Sequence, residues 1–176
     1  MAQPTGTTSY RPRLLDARLR ELLGAVPAVL INGPRAAGKT TTARQHAASE
    51  VRLDQPIQAE AFRADPDAAL SGRPEPVLLD EWQEVPAVLG AVKRAVDDDP
   101  RPGRFILTGS VRAELEQDAW PGTGRLVRLQ MYGFTQRELL ATGPLPDQPG
   151  FLERIGRLDP AVFARPAAPP NLRDYI

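Results

Sequence analysis

The chain has no cysteine, one histidine, and only two lysines among its 22 basic residues. The first absence excludes disulfides and thiolate metal sites, and a single imidazole makes no metal centre. Acidic residues also number 22, so the net charge is zero. No global basic field therefore supports nucleic-acid binding, and only a local patch could provide it. Residues 1–12 are polar, with no apolar core of a leader peptide. No run approaches the length of a membrane span. These absences lead to the expectation of a cytoplasmic protein without a membrane partner. What is present is 41% apolar content in 176 residues, enough for one packed domain with appendages. The 19 prolines cluster between elements and near the C-terminus.

Scarcity of lysine makes Lys39 informative. It sits in Gly33-Pro34-Arg35-Ala36-Ala37-Gly38-Lys39-Thr40, a complete G-x-x-x-x-G-K-[ST] phosphate-binding loop followed by Thr41. A compact ammonium fits between phosphates where a planar guanidinium does not. Before the loop, Ala28-Val29-Leu30-Ile31 is apolar throughout, as in a strand buried on both faces. After it, residues 40–48 read as a helix. A strand, a Gly-rich turn and a helix start together point backbone N–H groups at an anion. Lys39 is expected to reach the β- and γ-phosphates of a nucleotide, and Thr40 to ligate Mg²⁺. The bland reading of the same residues is a Gly-Pro turn before an ordinary helix.

The remaining elements alternate. Helical spacing of Leu14, Leu15, Leu19, Leu22 and Leu23 predicts a helix over 13–24. Strands are expected at 51–54, 77–81, 104–110 and 125–129. Helices are expected at 57–70 (interrupted at Asp65-Pro66), 86–96, 111–120 and 135–141. Such alternation implies an α/β fold with a mainly parallel sheet covered on both faces. Ligands in such sheets bind beyond the C-terminal strand edge.

The second nucleotide signature is Val77-Leu78-Leu79-Asp80-Glu81. An Asp ending a buried strand can hold Mg²⁺ through its water shell. The Glu after it can orient or deprotonate an attacking water, which favours hydrolysis over transfer to another acceptor. In isolation, two solvated acids at a strand exit would read the same way. Thr108-Gly109-Ser110 ends the next strand, and Ser110, with Thr108 second, is a candidate sensor of the γ-phosphate. Ser110 would equally serve as a helix N-cap. Arg125, after Gly122-Thr123-Gly124, is a candidate cation for the γ-phosphate, in cis or from a neighbouring subunit, though most arginines at strand ends are merely solvated.

With Gln83-Glu84-Val85-Pro86 and Gln136-Arg137-Glu138-Leu139 added to these motifs, residues 11–145 resemble a prokaryotic AAA-type ATPase. In that family an ATPase core precedes a C-terminal domain of unknown function thought to be nuclease-like. The resemblance implies a three-layer P-loop NTPase fold with sheet order 5-1-4-3-2. It implies ATP and Mg²⁺ as cofactors, and places Arg125 at the family's Gly-Arg position. The expected layout is a disordered tail over 1–12, an ATPase domain over 13–145 and a Pro-rich linker over 146–170. Residues 171–176 resemble the start of the second domain, as if the chain were cut at a domain boundary. Expected partners are therefore ATP, the missing C-terminal domain, and a homo-oligomer supplying Arg125 in trans. Nucleic acid enters only through that second domain.

ATP is favoured over GTP because no N-K-x-D segment occurs. Leu70-Ser71-Gly72-Arg73 is too short a match for a transporter signature loop. His46, Trp82, Trp120 and Asp97-Asp98-Asp99 read as packing or solvated residues, and Asp54 as a strand-end acid that could approach the site. Two rival functions stay open: a nucleotide-gated binding module with little hydrolysis, and a small-molecule phosphotransferase.

Overall fold

Along Ala28 to Ile31, consecutive apolar side chains go to opposite destinations. Ala28 and Leu30 join one buried cluster, and Val29 and Ile31 another. A period of two with both sides buried is the mark of a strand covered on both faces. The split recurs at Leu79 and Leu78, and at Leu107 and Ile106, so the sheet lies between two layers. The computed structural model describes residues 10–110, 125–140 and 151–158. The chain divides into two compact units, residues 15–133 on the one hand, and residues 1–14 with 134–176 on the other.

The larger unit runs α1 (Leu15–Leu23), β1 (Ala28–Gly33), α2 (Lys39–Arg44), β2 (Ser49–Arg52), α3 (Pro56–Ala64), α4 (Pro66–Leu70), β3 (Val77–Asp80), a 3₁₀ turn (Trp82–Glu84), α5 (Val88–Asp98), β4 (Phe105–Ser110) and β5 (Leu126–Gln130). These five strands pair in parallel in the order β2-β3-β4-β1-β5. That is the expected 5-1-4-3-2 sheet, read from its other edge. Phe62 of α3, Leu70 of α4 and the Val88-Leu89-Val92-Val96 face of α5 pack on one side. Leu19 and Leu22 of α1 and Ala43 of α2 cover the other. Each such buried Leu, Val or Phe side chain contributes about 1.5–3 kcal/mol.

Several boundaries differ from the sequence reading. The helix expected over 40–48 ends at Arg44, where Gln45 and His46 bond back three residues, to Thr42 and Ala43. Three successive threonines at the start of that helix lack the propensity to extend it. The strand expected over 51–54 is Ser49–Arg52, and Leu53 and Asp54 form a turn. The break at Asp65-Pro66 makes two helices: Asp65 caps α4 by accepting from the Ala68 N–H at 3.0 Å, and Pro66 takes the first helical position. No described helix is long and apolar enough to cross a membrane.

In the smaller unit, α6 (Gln136–Leu140) is anchored through Glu138. Thr135 and Glu138 form a capping box: the Glu138 carboxylate accepts from the Thr135 N–H at 2.7 Å, and the Thr135 hydroxyl accepts from the Glu138 N–H at 3.2 Å. The other carboxylate oxygen accepts from the Leu14 N–H at 2.9 Å and the Arg13 guanidinium at 3.0 Å. Burial pushes this carboxyl upward, but the Thr135 and Leu14 N–H groups and then Arg13 outweigh it and hold the group below its ordinary value. The Arg13 guanidinium also lies over the Phe134 ring, 4.1 Å from its centroid. Within the stretch read as a tail, Arg11 donates to the carbonyls of Glu138 and Leu139. Within the stretch read as a linker, α7 spans Phe151–Gly156. The expectations for residues 111–124, including Trp120 and the Gly-Thr-Gly turn, and for 171–176 lie outside the described residues.

Candidate functional site

The phosphate loop leaves the C-terminal end of β1 and enters α2 directly at Lys39. Two residues turn through left-handed backbone, Gly38 at φ 93° and Ala36 at φ 61°. Glycine adopts this shape without cost, but an alanine there stores about 1 kcal/mol or more. Gly33 is required for a different reason. A Cβ on it would lie 2.0 Å from the Met131 carbonyl oxygen, just past β5. The Met131 N–H donates to the Asn32 carbonyl at 2.8 Å, locking that approach. Lys39 is buried, and its ammonium donates to the loop's own carbonyls, Pro34 at 2.9 Å and Gly33 at 3.2 Å. The cation is thereby held over the hollow of the loop.

Asp80 ends β3 on the same sheet edge and is buried. The Thr40 hydroxyl donates to its Oδ1 at 2.7 Å. The Thr108 hydroxyl, wholly buried in β4, donates to the same oxygen. The two residues expected to hold a metal, Thr40 and Asp80, are thus brought together, with Thr108 fixing the carboxylate from behind. Thr108, second choice as a γ-phosphate sensor, is engaged with Asp80. Ser110 closes β4 in register with Gly33, and its side chain is not among those described.

Glu81 leaves the strand in left-handed backbone, at φ 54° and ψ 50°. A non-glycine residue there is a local strain, of order 1–3 kcal/mol, which the surrounding structure must hold. The turn places Glu81 in one cleft of about 650 Å³ with Arg35, Ala36, Gly38, Lys39, Thr40 and Thr41 of the loop. Asp54, Gln83 and Glu84 complete the lining. Of the residues expected to bind the nucleotide, Gly33, Pro34 and Ala37 are not in the lining. Ala37 is buried and donates to the Pro34 carbonyl at 3.3 Å, shaping the loop from within. Asp54 reaches the cleft, where it pairs with Arg52 at 2.9 Å. Near the α2 terminus, the hydrogen bond to Glu50 holds the Arg44 guanidinium above its ordinary value, against the opposing effect of burial.

Arg125 is not brought to this cleft by its own chain. Its carbonyl accepts from the N–H of Ala28, the first residue of β1, at 3.2 Å. Because β1 and β5 are parallel and paired from Ala28↔Leu126 to Asn32↔Gln130, Arg125 lies at the sheet edge opposite the loop. A strand of that length spans roughly 16 Å. Its guanidinium pairs with Asp97 near the end of α5. Of the two alternatives left open for Arg125, in cis or from a neighbouring subunit, this position agrees with the second.

Gln83 was missed as a site residue. Its side-chain N–H donates to Glu81 Oε2, and a contact between positions two apart has no signature in spacing alone.

A protein-family model described as an AAA domain matches residues 25–140, well over half the chain. Two curated relatives, each described only as an uncharacterized protein, come from Mycobacterium bovis and Mycobacterium tuberculosis. Each is 37% identical over 127 residues, covering 70% of this chain and 29% of the relative. The chain thus spans less than a third of the length of these relatives. Among solved structures, that of PCH-2 from C. elegans is similar at 14% identity and a TM-score of 0.42, covering 85% of this chain and 46% of that one.

Proposed function

The chain belongs to this AAA-domain family, and on that premise we propose that it binds ATP with Mg²⁺ and hydrolyses the bond between the β- and γ-phosphates. The observation that carries the reading is the 2.7 Å bond from Thr40 to Asp80, in a site whose cleft is lined by both Lys39 and Glu81. One loop supplies a cation and backbone amides for phosphate, and one strand end supplies an acid for the metal and an acid for water.

The donor set suits Mg²⁺, a hard ion that takes oxygen ligands and keeps several waters. Thr40 and Asp80 would hold it, and when bound it screens charge on the phosphate oxygens. Lys39 exchanges its two carbonyl acceptors for phosphate oxygens, so its burial is maintained with a stronger partner. Glu81 accepts a proton from water as the water oxygen bonds to the γ-phosphorus. The bond from that phosphorus to the bridging oxygen breaks, and ADP leaves with the electron pair. ATP rather than GTP is the substrate, given the missing guanine-reading segment. The test is phosphate release from Mg-ATP, expected to vanish with EDTA and with Lys39→Ala. Turnover that survives both would refute the assignment.

The position of Arg125 favours a second reading, a nucleotide-gated module whose turnover waits on a neighbour. Arg125 is half-exposed and far from its own loop, so a second copy would supply it in trans. Turnover per chain that climbs with chain concentration, and fails to climb in Arg125→Ala, supports that reading; concentration-independent turnover removes it. A C-terminal effector domain in the full-length protein is proposed on the same family basis.

A further inference from the structure

The Glu81 carboxylate is held by its own turn. Left-handed backbone at Glu81 reverses the chain out of β3, and the 3₁₀ turn that follows closes with the Glu84 N–H on the Glu81 carbonyl at 3.0 Å. The turn brings Gln83 back over Glu81, and the Gln83 amide donates to Oε2. Among the described residues no donor reaches Glu81 Oε1. The other end of the same amide, Gln83 Oε1, is buried without a described hydrogen-bond partner. It lies against Gly109 at the exit of β4, where a Cβ would come within 2.9 Å of it. A Cβ there would also come within 2.6 Å of the Trp82 indole nitrogen, so glycine is what lets the turn sit this close. An ionised carboxylate only accepts hydrogen bonds. A donor on one of its oxygens therefore orients the carboxylate and leaves the second oxygen for water.

We propose that Gln83 is the positioning residue for Glu81: braced against the end of β4 at Gly109, its amide holds Oε2 and aims Oε1 at the attacking water. The inference rests on the reading of Glu81 as the group that takes the proton from water. Misplacement of a reacting group by about 1 Å can cost two orders of magnitude in rate. Removing the strut acts on the chemical step and leaves the loop that holds the phosphates intact.

The experiment is a double-mutant cycle on kcat, with KM and nucleotide affinity measured beside it. Gln83→Ala is expected to lower kcat about 10- to 100-fold, with KM and the nucleotide Kd changed less than about twofold. In a Glu81→Gln background, Gln83→Ala is expected to cost nothing further, because the residue acts through Glu81. A loss that multiplies fully in that background would overturn the inference, and so would a rise in kcat, which would make Gln83 a lock. The contact is also read without turnover. In an NMR spectrum of the full chain, the Gln83 side-chain amide resonance is expected to shift on Glu81→Gln. An unmoved resonance overturns the inference whether or not the chain hydrolyses ATP. Absence of turnover in the wild type, with the shift present, counts against the hydrolysis reading and leaves the strut in place.

Discussion

The hydroxyl of Thr40 and the carboxylate of Asp80, 40 positions apart in sequence, meet at 2.7 Å on one sheet edge. Neither side chain makes a site alone. Asp80→Asn is expected to abolish the gain in nucleotide affinity on adding Mg²⁺, and to reduce turnover by about 10²-fold or more. Titration of nucleotide binding with and without EDTA checks it. An unchanged Mg²⁺ dependence would place the metal elsewhere.

Thr108 tests whether Asp80 is held from behind. Its hydroxyl is wholly buried and donates to the same oxygen. Thr108→Val keeps the shape and removes the donor, at an expected cost of about 1.5–3 kcal/mol for a hydrogen bond to a charged acceptor. Urea denaturation measures this. A loss within about 0.5 kcal/mol would show that Thr108 does not support the carboxylate.

Two glycines should differ in how an added methyl group is received. Gly33→Ala meets the backbone oxygen of Met131, whereas Gly109→Ala meets the side chains of Trp82 and Gln83. Backbone yields less readily than side chains. Gly33→Ala is therefore expected to destabilise the fold by about 3 kcal/mol or more, and Gly109→Ala by about 1–3 kcal/mol. Thermal denaturation of both variants reads the order, and the reverse order would contradict this packing.

Much of this was legible in the sequence, and the exceptions have physical reasons. That Lys39, Thr40, Asp80 and Glu81 fall together on one sheet edge was readable because each lies at a strand exit or in a loop of fixed spacing. The sheet order followed from the family resemblance. Gln83 was hidden because its reach depends on left-handed backbone at Glu81, which no β-strand pattern announces. For Arg125 the choice between cis and trans was left open although a signal existed: the residue that opens a parallel strand sits at the edge opposite to the loops that follow its neighbours. The length of α2 was overread because the alanines and Gln45 after Arg44 suggested helix, while the successive threonines weakened it.

Glu138 should make the smaller unit sensitive to acid. Its folded carboxyl titrates below the ordinary value, so the stability it adds is fully present above the unfolded value. That stability is lost as pH falls through the lowered folded value. Glu138→Gln is expected to cost about 1.5–3 kcal/mol at pH 7. The gap from wild type should narrow as pH falls below about 4. Denaturation of both proteins across pH measures it, and a gap that stays constant into acid would show that the charge contributes nothing.

Lys39 is proposed to bind nucleotide phosphate, and Glu81 to act on water, in one site. The decisive measurement is phosphate release from Mg-ATP by wild type, Lys39→Ala and Glu81→Gln, with nucleotide binding measured on the same preparations. Wild type is expected to bind and turn over, Glu81→Gln to bind with at least about 10²-fold slower turnover, and Lys39→Ala to do neither. Wild-type binding that survives Lys39→Ala, or turnover that survives Glu81→Gln, would contradict these roles.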